Sequence, residues 1–237
     1  MKVSVVVPAF NEERLLAGSL AATRAAMAVF EESDLIVCDN NSTDRTAEIA
    51  RAAGAEVVFE PVNQIARARN TGAARASGEW LVFVDADSYP DEELFREAAS
   101  AMRSGRCLGG GATVAFQTRD AMVRAWLALW NAISRATRWA AGSFIFCEAA
   151  SFRALGGFSE ALYAGEEIDL CRRLKRLARK TGRSVVILHR HPLRTSDRKA
   201  RLYTKREHFA FLLKTLALGG RTLRDRNACY VWYDGRR

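Results

Sequence analysis

Short apolar runs alternate with stretches of helical periodicity along about the first ninety residues of the chain. Residues 3–7, 35–38 and 80–84 are mostly apolar runs of four or five residues, the length of a strand buried in a parallel sheet. Between them, residues 15–27 and 66–76 carry apolar or small side chains at helical spacing. Strands that alternate with helices in this way form right-handed βαβ units. The pattern therefore predicts an α/β fold with a mostly parallel sheet flanked by helices.

Acidic side chains follow the ends of the predicted strands. Because the carboxyl ends of parallel strands meet at one edge of a sheet, we expect these acids to converge there. For Asp44, and for Asp91 further along the chain, the favoured interpretation is a structural role as a turn or helix-cap residue. The chain has no GxGxxG after its first strand, which argues against a dinucleotide site. Two carboxylates at the mouth of one strand repel each other unless a cation joins them. The acids at the strand ends are Glu12, Asp39, Asp44, Asp85 and Asp87.

The amino-acid composition is that of a globular protein. The 237 residues are 49% hydrophobic and 27% charged, which is typical of a globular domain and excludes a disordered or collagen-like chain. Five scattered cysteines without a CxxC pair argue against a zinc ribbon or a disulfide framework, and predict a reducing compartment. We find neither a signal peptide nor an apolar run of the roughly 18 to 20 residues that a spanning helix needs. We therefore expect a cytoplasmic protein.

Charge divides the chain into two parts. Residues 1–171 hold 16 basic and 23 acidic residues, whereas residues 172–237 hold 20 basic and 4 acidic ones. Such a basic region suits nucleic acid, anionic lipid or a phosphorylated substrate. We expect one α/β domain over residues 1–201, followed by a basic helical extension over residues 202–237.

Six segments in order resemble the family 2 glycosyltransferases of the GT-A fold, and the likeness runs from residue 3 to about residue 201. The first strand and loop and the loop after the second strand resemble the family's nucleotide-binding segments. Asp85-Ala86-Asp87 matches its DxD motif, and the other matches lie beside the nucleotide and in the acceptor region. The segments are residues 5–12, 39–44, 67–72, 85–87, 156–158 and 165–170. A seventh segment, residues 194–199, resembles a family segment near the diphosphate.

The resemblance implies a role for each motif. In relatives the leading acid of the second loop contacts the base, and the second acid of the DxD binds the metal. Asp87 is therefore expected to bind Mn²⁺ or Mg²⁺, and Asp85 to face the donor. A hard cation held by carboxylate neutralises the charge that develops on a diphosphate leaving group. The donor-binding residues expected on this basis are Pro8, Phe10, Glu12, Asp39, Arg67, Asn70, Asp85, Arg194 and Arg198.

Transfer with inversion also needs a general base. Relatives have Glu-Asp where this chain has Glu166-Glu167, and the Asp is their base. The resemblance therefore makes Glu167 the expected base, with Asp169 as the alternative. Acids at the start of a helix are also favoured by its dipole, so a purely structural role stays open.

Two histidines after the last apolar run are candidate metal ligands. His189 and His191 share one face of an extended chain with residues 185 and 187. Some relatives place a metal-binding His after the last strand, and His189 is the preferred candidate here. A structural role for either imidazole is the alternative.

An amphipathic stretch lies between these motifs. Met122, Trp126, Leu129, Trp130 and Ile133 fall on one helical face, with Arg residues on another. Such a face forms core or homodimer contacts, or rests at a membrane interface. Since many family members act on lipid-linked acceptors, we expect reversible binding to an anionic membrane surface, at the inner face of the cell membrane. The basic tail, with Phe209, Phe211 and neighbouring leucines, is expected to contribute.

Together these observations predict an inverting, metal-dependent glycosyltransferase that moves a sugar from a nucleotide-diphosphate sugar to a hydroxyl acceptor. A nucleotidyltransferase also uses acids at a sheet edge, but it releases pyrophosphate. A basic protein that binds nucleic acid or membrane on a decayed transferase fold is the non-enzymatic alternative. The acids retained at each motif argue against decay, and the tail contains no recognised nucleic-acid module.

Overall fold

The computed structural model describes residues 1–116, 118, 120–196, 198, 215 and 220–233. The strands of this part of the chain are β1 (Lys2–Ala9), β2 (Glu32–Asp39), β3 (Glu56–Phe59), β4 (Trp80–Val84), β5 (Ser88–Tyr89), β6 (Cys107–Phe116), β7 (Phe144–Glu148) and β8 (Ser184–Thr195). Its helices are α1 (Leu16–Met27), α2 (Thr46–Ala52), α3 (Ile65–Arg75), α4 (Glu92–Arg103), α5 (Ala121–Thr137), α6 (Ala149–Ala154) and α7 (Glu166–Lys180). A 3-10 helix (Arg221–Arg224) and α8 (Tyr230–Tyr233) follow.

The strands form one sheet in the order β3-β2-β1-β4-β7-β6-β8-β5. The first four strands in that order run parallel, and β6 runs parallel to β8. This confirms the predicted α/β fold and its βαβ units. The sheet is nevertheless mixed, because β7 is antiparallel to β4 and β6, and β5 is antiparallel to β8. An apolar run such as β7 has the same pattern in either direction, so its direction could not be predicted.

Helices cover both faces of the sheet because side chains alternate along each strand. Val3, Val5 and Val7 of β1 pack with α1 and α4 on one face. Val6, with Leu81 of β4, packs with α3, α6 and α7 on the other face. Burial on both faces explains why these strands are almost wholly apolar.

The Gly109-Gly110-Gly111 run lies inside β6, away from any helix start. A Cβ on Gly110 would come 1.9 Å from the carbonyl oxygen of Val186 in β8 and 3.1 Å from the Phe146 ring of β7. The glycine therefore allows the close approach of neighbouring strands, which is a structural role.

The described part of the predicted C-terminal extension packs on the α/β domain. The Tyr163 amide donates to the Leu223 carbonyl oxygen (2.7 Å), and the Ile65 amide donates to the Tyr233 hydroxyl (3.4 Å). Phe209 and Phe211 of the predicted extension lie outside the described residues, so the boundary at residue 201 stays a prediction. Within the described ranges, every helix is too short or too polar to cross a membrane.

Candidate active site

The predicted acids lie at one edge of the sheet, as expected from the parallel strands. Asp39 ends β2, the loop carrying Glu12 follows β1, and Asp85 follows β4 directly. Glu12 is 7% exposed and Asp39 is 8% exposed. Burying carboxylates is costly without partners, so this edge is built for polar or charged ligands and internal ion pairs.

The loops after β1 and β2 are joined by hydrogen bonds. The Asn11 amide donates to the Ser42 hydroxyl (3.0 Å), and the Thr43 amide donates to Asn11 Oδ1 (2.8 Å). The Asp39 carboxylate accepts from the Ser42 amide (3.0 Å). Pro8 is buried in β1 and Phe10 is half-buried at its end. The two expected nucleotide-binding loops therefore form one wall of the site.

Two other acids have the capping roles expected of them. Asp44 Oδ1 accepts from the Thr46 amide at the start of α2 (2.9 Å), and Asp91 Oδ1 accepts from the Leu94 amide of α4 (2.9 Å). Partial burial raises the pKa of Asp44, but the hydrogen bonds from Thr46 and the Glu13 amide outweigh it and leave the pKa lowered. Both residues are local structural acids.

Arg69 of α3 organises the centre of the site. Its side chain is 1% exposed and lies 5.2 Å from the ring centre of Phe158. Nη1 donates to Glu166 Oε1 (2.6 Å), and Nη2 donates to Asp85 Oδ1 (2.9 Å) and to the Gly142 carbonyl oxygen (2.8 Å). One guanidinium therefore joins β4, α7 and the loop before β7, and it fixes the first acid of the DxD.

Glu167 lies beside this network with a perturbed carboxyl group. Burial raises its pKa to about 8, the Glu166 and Asp85 charges add to the rise, and Arg69 opposes it. A Cβ on Gly142 would lie 3.1 Å from Arg69 Nη2 and 3.8 Å from the Glu167 carboxyl carbon, which shows how closely the three residues approach. A half-buried carboxyl group with a raised pKa can act as a proton acceptor near neutral pH.

A second charged cluster joins Glu12, Asp87 and Arg198. The Arg198 guanidinium binds Glu12 in bidentate fashion (2.9 and 2.5 Å), and its Nη2 lies 3.7 Å from Asp87 Oδ2. The Asp87 side chain is 15% exposed. Two carboxylates thus face one guanidinium.

This donor set fits a hard divalent cation. Carboxylate oxygen is the ligand that Mg²⁺ and Mn²⁺ favour, and such ions commonly keep waters and phosphate oxygens as further ligands. The described residues include no group of three or more His, Cys, Asp or Glu side chains arranged as a complete metal site. Asp87 is the residue of this cluster that is expected to hold the cation.

The remaining expected donor residues lie at the same site or at its border. Arg67 is half-exposed and pairs with Glu160 (3.0 Å). Asn70 donates to the Phe158 carbonyl oxygen and accepts from the Phe158 amide, both at 2.9 Å, so its amide braces α3 against that turn. Arg194 is exposed on β8, opposite Tyr89 of β5. Their roles toward a donor stay predictions.

The alternative base and the expected histidine ligand stand apart from the two charged clusters. Asp169 binds Arg173 (2.7 Å), which in turn donates to the carbonyl oxygens of Leu155 and Gly157. His189 is exposed, with Nδ1 3.4 Å from the Ile187 carbonyl oxygen, where the pairing of β8 with β6 is irregular. His191 is half-buried. The metal role of His189 stays a prediction, and the Asp169 carboxylate is engaged in holding α7.

Sequence reasoning assigned no site role to Arg69 or Tyr233, and it named Glu166 only as one of the acids that could serve as the base. Arg69 shares a helical face with Ala66 and Ala73, both buried. This pattern was the sequence signal for Arg69, because an arginine among small apolar residues on one helical face is buried only when it has an ion-pair partner. Tyr233 was also missed. Burial raises the pKa of its hydroxyl, and Glu166 nearby adds to the rise.

Comparisons with known proteins identify the family of the chain. The model of the family described as Glycosyl transferase family 2 matches residues 4–156. Glycosyltransferase AglE of Haloferax volcanii is 33% identical over 116 residues, which cover 46% of this chain and 38% of AglE. The match thus spans well under half the length of that relative.

Two solved structures superpose on most of the chain. Mannosyltransferase PcManGT of Pyrobaculum calidifontis, in complex with GDP-Man and Mn²⁺, has a TM-score of 0.68 at 19% identity and covers 93% of this chain and 62% of its own. S. aureus TarS 1-349 in complex with UDP-GlcNAc has a TM-score of 0.66 at 19% identity and covers 99% and 71%. At such identities the likeness shows the fold, and it confirms the expected GT-A architecture.

Proposed function

Because the chain belongs to glycosyl transferase family 2, we propose that it transfers a sugar from a nucleotide-diphosphate sugar to a hydroxyl acceptor, with inversion and with a divalent cation. The observation that carries the proposal is the position of Glu167, whose raised pKa suits a base, beside the Arg69-held acid of a DxD motif. Two structural neighbours hold nucleotide sugars, and one also holds Mn²⁺, which supports the donor class.

The acceptor side of the proposed reaction uses Glu167. Its carboxylate takes the proton of the acceptor hydroxyl as the oxygen attacks the anomeric carbon of the donor. The new glycosidic bond forms as the bond between that carbon and the diphosphate oxygen breaks, so the electron pair leaves with the nucleoside diphosphate. Attack on the face opposite the leaving group inverts the anomeric configuration.

The donor side uses the residues at the ends of β2 and β4. Asp39, in the wall formed by the two joined loops, would accept hydrogen bonds from the nucleoside, and Asp85, which Arg69 binds, would face the sugar. Asp87 would hold Mn²⁺ or Mg²⁺, which supplies positive charge for the departing diphosphate. Arg198, beside Asp87, would add a fixed positive charge to the same group.

The proposal extends to partners that the fold alone does not specify. We expect the hydroxyl acceptor to be carried on a lipid, and the enzyme to act in the cytoplasm at the inner face of the cell membrane. Nucleic acid is not expected as a partner, and a homodimer stays an alternative use of the exposed face of α5.

A screen of nucleotide sugars tests the reaction class. The purified protein is incubated with UDP- and GDP-sugars and Mn²⁺, and slow hydrolysis of the donor is followed by product analysis. We expect release of nucleoside diphosphate from one of them. Release of pyrophosphate from a nucleoside triphosphate and a sugar phosphate, with every nucleotide sugar left intact, would instead identify a nucleotidyltransferase.

The cation role of Asp87 gives a binding prediction. Titration calorimetry with UDP and GDP is expected to show affinity at least about tenfold higher with Mn²⁺ than with a chelator, because a cation held by Asp87 would supply positive charge to the diphosphate. Asp87→Ala should remove this gain. Asp34→Ala, at the opposite edge of the sheet beside Lys2, is the matched control and should keep it. Identical wild-type titrations with and without metal would contradict the assignment.

A further inference from the structure

Helix α5 presents an apolar stripe to the outside of the protein. Met122, Trp126, Leu129 and Ile133 are 50%, 59%, 51% and 38% exposed, and they recur at the spacing of one helical face. Most other large apolar side chains in the described ranges are buried or half-buried. A contiguous exposed apolar face on a helix marks a surface that another molecule covers.

The opposite face fixes α5 to the sheet. The Asn131 side chain accepts from the Val114 amide of β6 (3.1 Å) and donates to the Val114 carbonyl oxygen (2.9 Å). Leu127 and Trp130 pack against the hydrophobic core. Trp130 thus faces inward, although the sequence pattern placed it on the same face as Trp126. The neighbouring strands β6 and β8 provide the surface that covers it. The stripe therefore lies on a helix that contacts the sheet through its other side chains.

The surroundings of the stripe are basic. No Asp or Glu occurs between Asp120 and Glu148, whereas Arg124 and Arg135 are exposed on α5 itself. At the C-terminal end of the helix lies a basic cluster of Arg138, Arg172, Lys175 and Arg179. Burial lowers the pKa of Lys175, and the charges of the three arginines lower it further. Lys175 also donates to the Thr137 carbonyl oxygen (2.7 Å), which ties the cluster to α5.

Both ends of α5 lie at the edge of the sheet that carries the active site. β6 and β7 are antiparallel, so the connection between them leaves and returns at the same edge. β7 is antiparallel to β4, so this edge is the one at which β4 ends. The residues that follow α5 include Gly142 and Ser143, whose carbonyl oxygens accept from Arg69 and from the Asp85 amide. The apolar stripe therefore borders the active site.

We propose that α5 docks the enzyme on an anionic lipid surface, with the Trp126 stripe in the headgroup region and the basic cluster against the phosphates. An apolar face with Trp, together with Arg on the polar face, is the composition of a helix that lies in a membrane interface. Basic residues near an anionic surface contribute on the order of 1 kcal/mol each. The charge of this face fits such a surface and disfavours a second copy, whose own face would be equally basic. The docking does not depend on the proposed reaction, but it would bring the active site to a lipid-borne acceptor.

Co-sedimentation of the full chain with vesicles tests the docking surface. We expect binding to phosphatidylcholine vesicles that contain about one third phosphatidylglycerol, weak binding to phosphatidylcholine alone, and weaker binding as salt rises above about 0.1 M. Trp126→Ser and Leu129→Ser should each lower the vesicle affinity about tenfold, because less apolar area is buried. Phe59→Ser, which changes an equally exposed side chain on β3, should leave it unchanged.

Charge variants complete the experiment. Arg138→Glu with Arg179→Glu, in the basic cluster, should lower affinity for the anionic vesicles about tenfold or more, whereas Arg51→Glu with Arg103→Glu, at the same net charge, should have little effect. Full binding by the α5 variants, or equal binding to neutral vesicles, would overturn the proposal. Light scattering without lipid supplies another test. A dimer that Trp126→Ser separates would show that a second copy covers the stripe, and would overturn it as well.

Discussion

Glu167→Gln is expected to lower sugar transfer by about 10²-fold or more while the affinity for nucleoside diphosphate stays close to that of the wild type. The amide keeps the shape of the side chain but cannot accept a proton. Asp169→Asn is the matched control, because Asp169 lies on the same helix and binds Arg173. Its transfer rate should change little. If Asp169→Asn loses transfer and Glu167→Gln retains it, Asp169 is the base.

Glu167 also predicts the direction in which kcat/KM changes with pH. The base must be ionised, and the pKa of Glu167 is raised to about 8, so kcat/KM should rise with pH and level off above about 8. Glu167→Gln should remove this rise. Turnover is measured with the nucleotide sugar that the screen identifies, at constant ionic strength. A wild-type profile that is already level at pH 6 would contradict the raised pKa.

The free energy of unfolding is expected to fall as pH rises, whereas kcat/KM is expected to rise. The folded state holds the Glu167 proton more tightly than the unfolded chain does, because the pKa is raised from 4.5 to about 8. The contribution of Glu167 to the free energy of unfolding is therefore present at pH 4.5 and is lost as the pH rises toward 8. Glu167→Gln carries no such cost, so its Tm should exceed that of the wild type more at pH 8 than at pH 5.

Local sequence patterns predicted the half of the fold that carries the donor residues. Runs such as residues 80–84 are apolar throughout because both faces of the parallel strands are buried, and the acids after them could be placed at one edge from topology alone. The antiparallel direction of β7 was not predictable in this way, because it depends on the path of α5 above the sheet rather than on any local pattern.

The ion pairs of the site were harder to predict than its location. Arg67 and Arg69 are two residues apart on α3 and therefore point in different directions, so one pairs with exposed Glu160 and the other is buried between Asp85 and Glu166. The resemblance identified the segment, but the partners of each arginine lie on β4 and α7, far away in sequence. Only the packed structure distinguishes them.

Arg69→Met is expected to have the largest effect on stability of any single change at the site. The substitution leaves the Glu166 carboxylate, 4% exposed, and the Asp85 carboxylate without the guanidinium between them. Removing one partner of a buried ion pair typically costs about 3–5 kcal/mol, because the remaining charge stays buried. Urea unfolding at neutral pH measures the loss.

Arg67→Met is the matched control for that loss, because it removes an arginine of the same helix whose pair with Glu160 is half-exposed. Exposed pairs contribute about 1 kcal/mol or less, so the two variants should differ by at least about 2 kcal/mol. The double variant Arg69→Met with Glu166→Gln should recover part of the loss, since one buried charge is then absent. Equal losses for the two single variants, or no recovery in the double variant, would mean that Arg69 does not hold the site together through its charge.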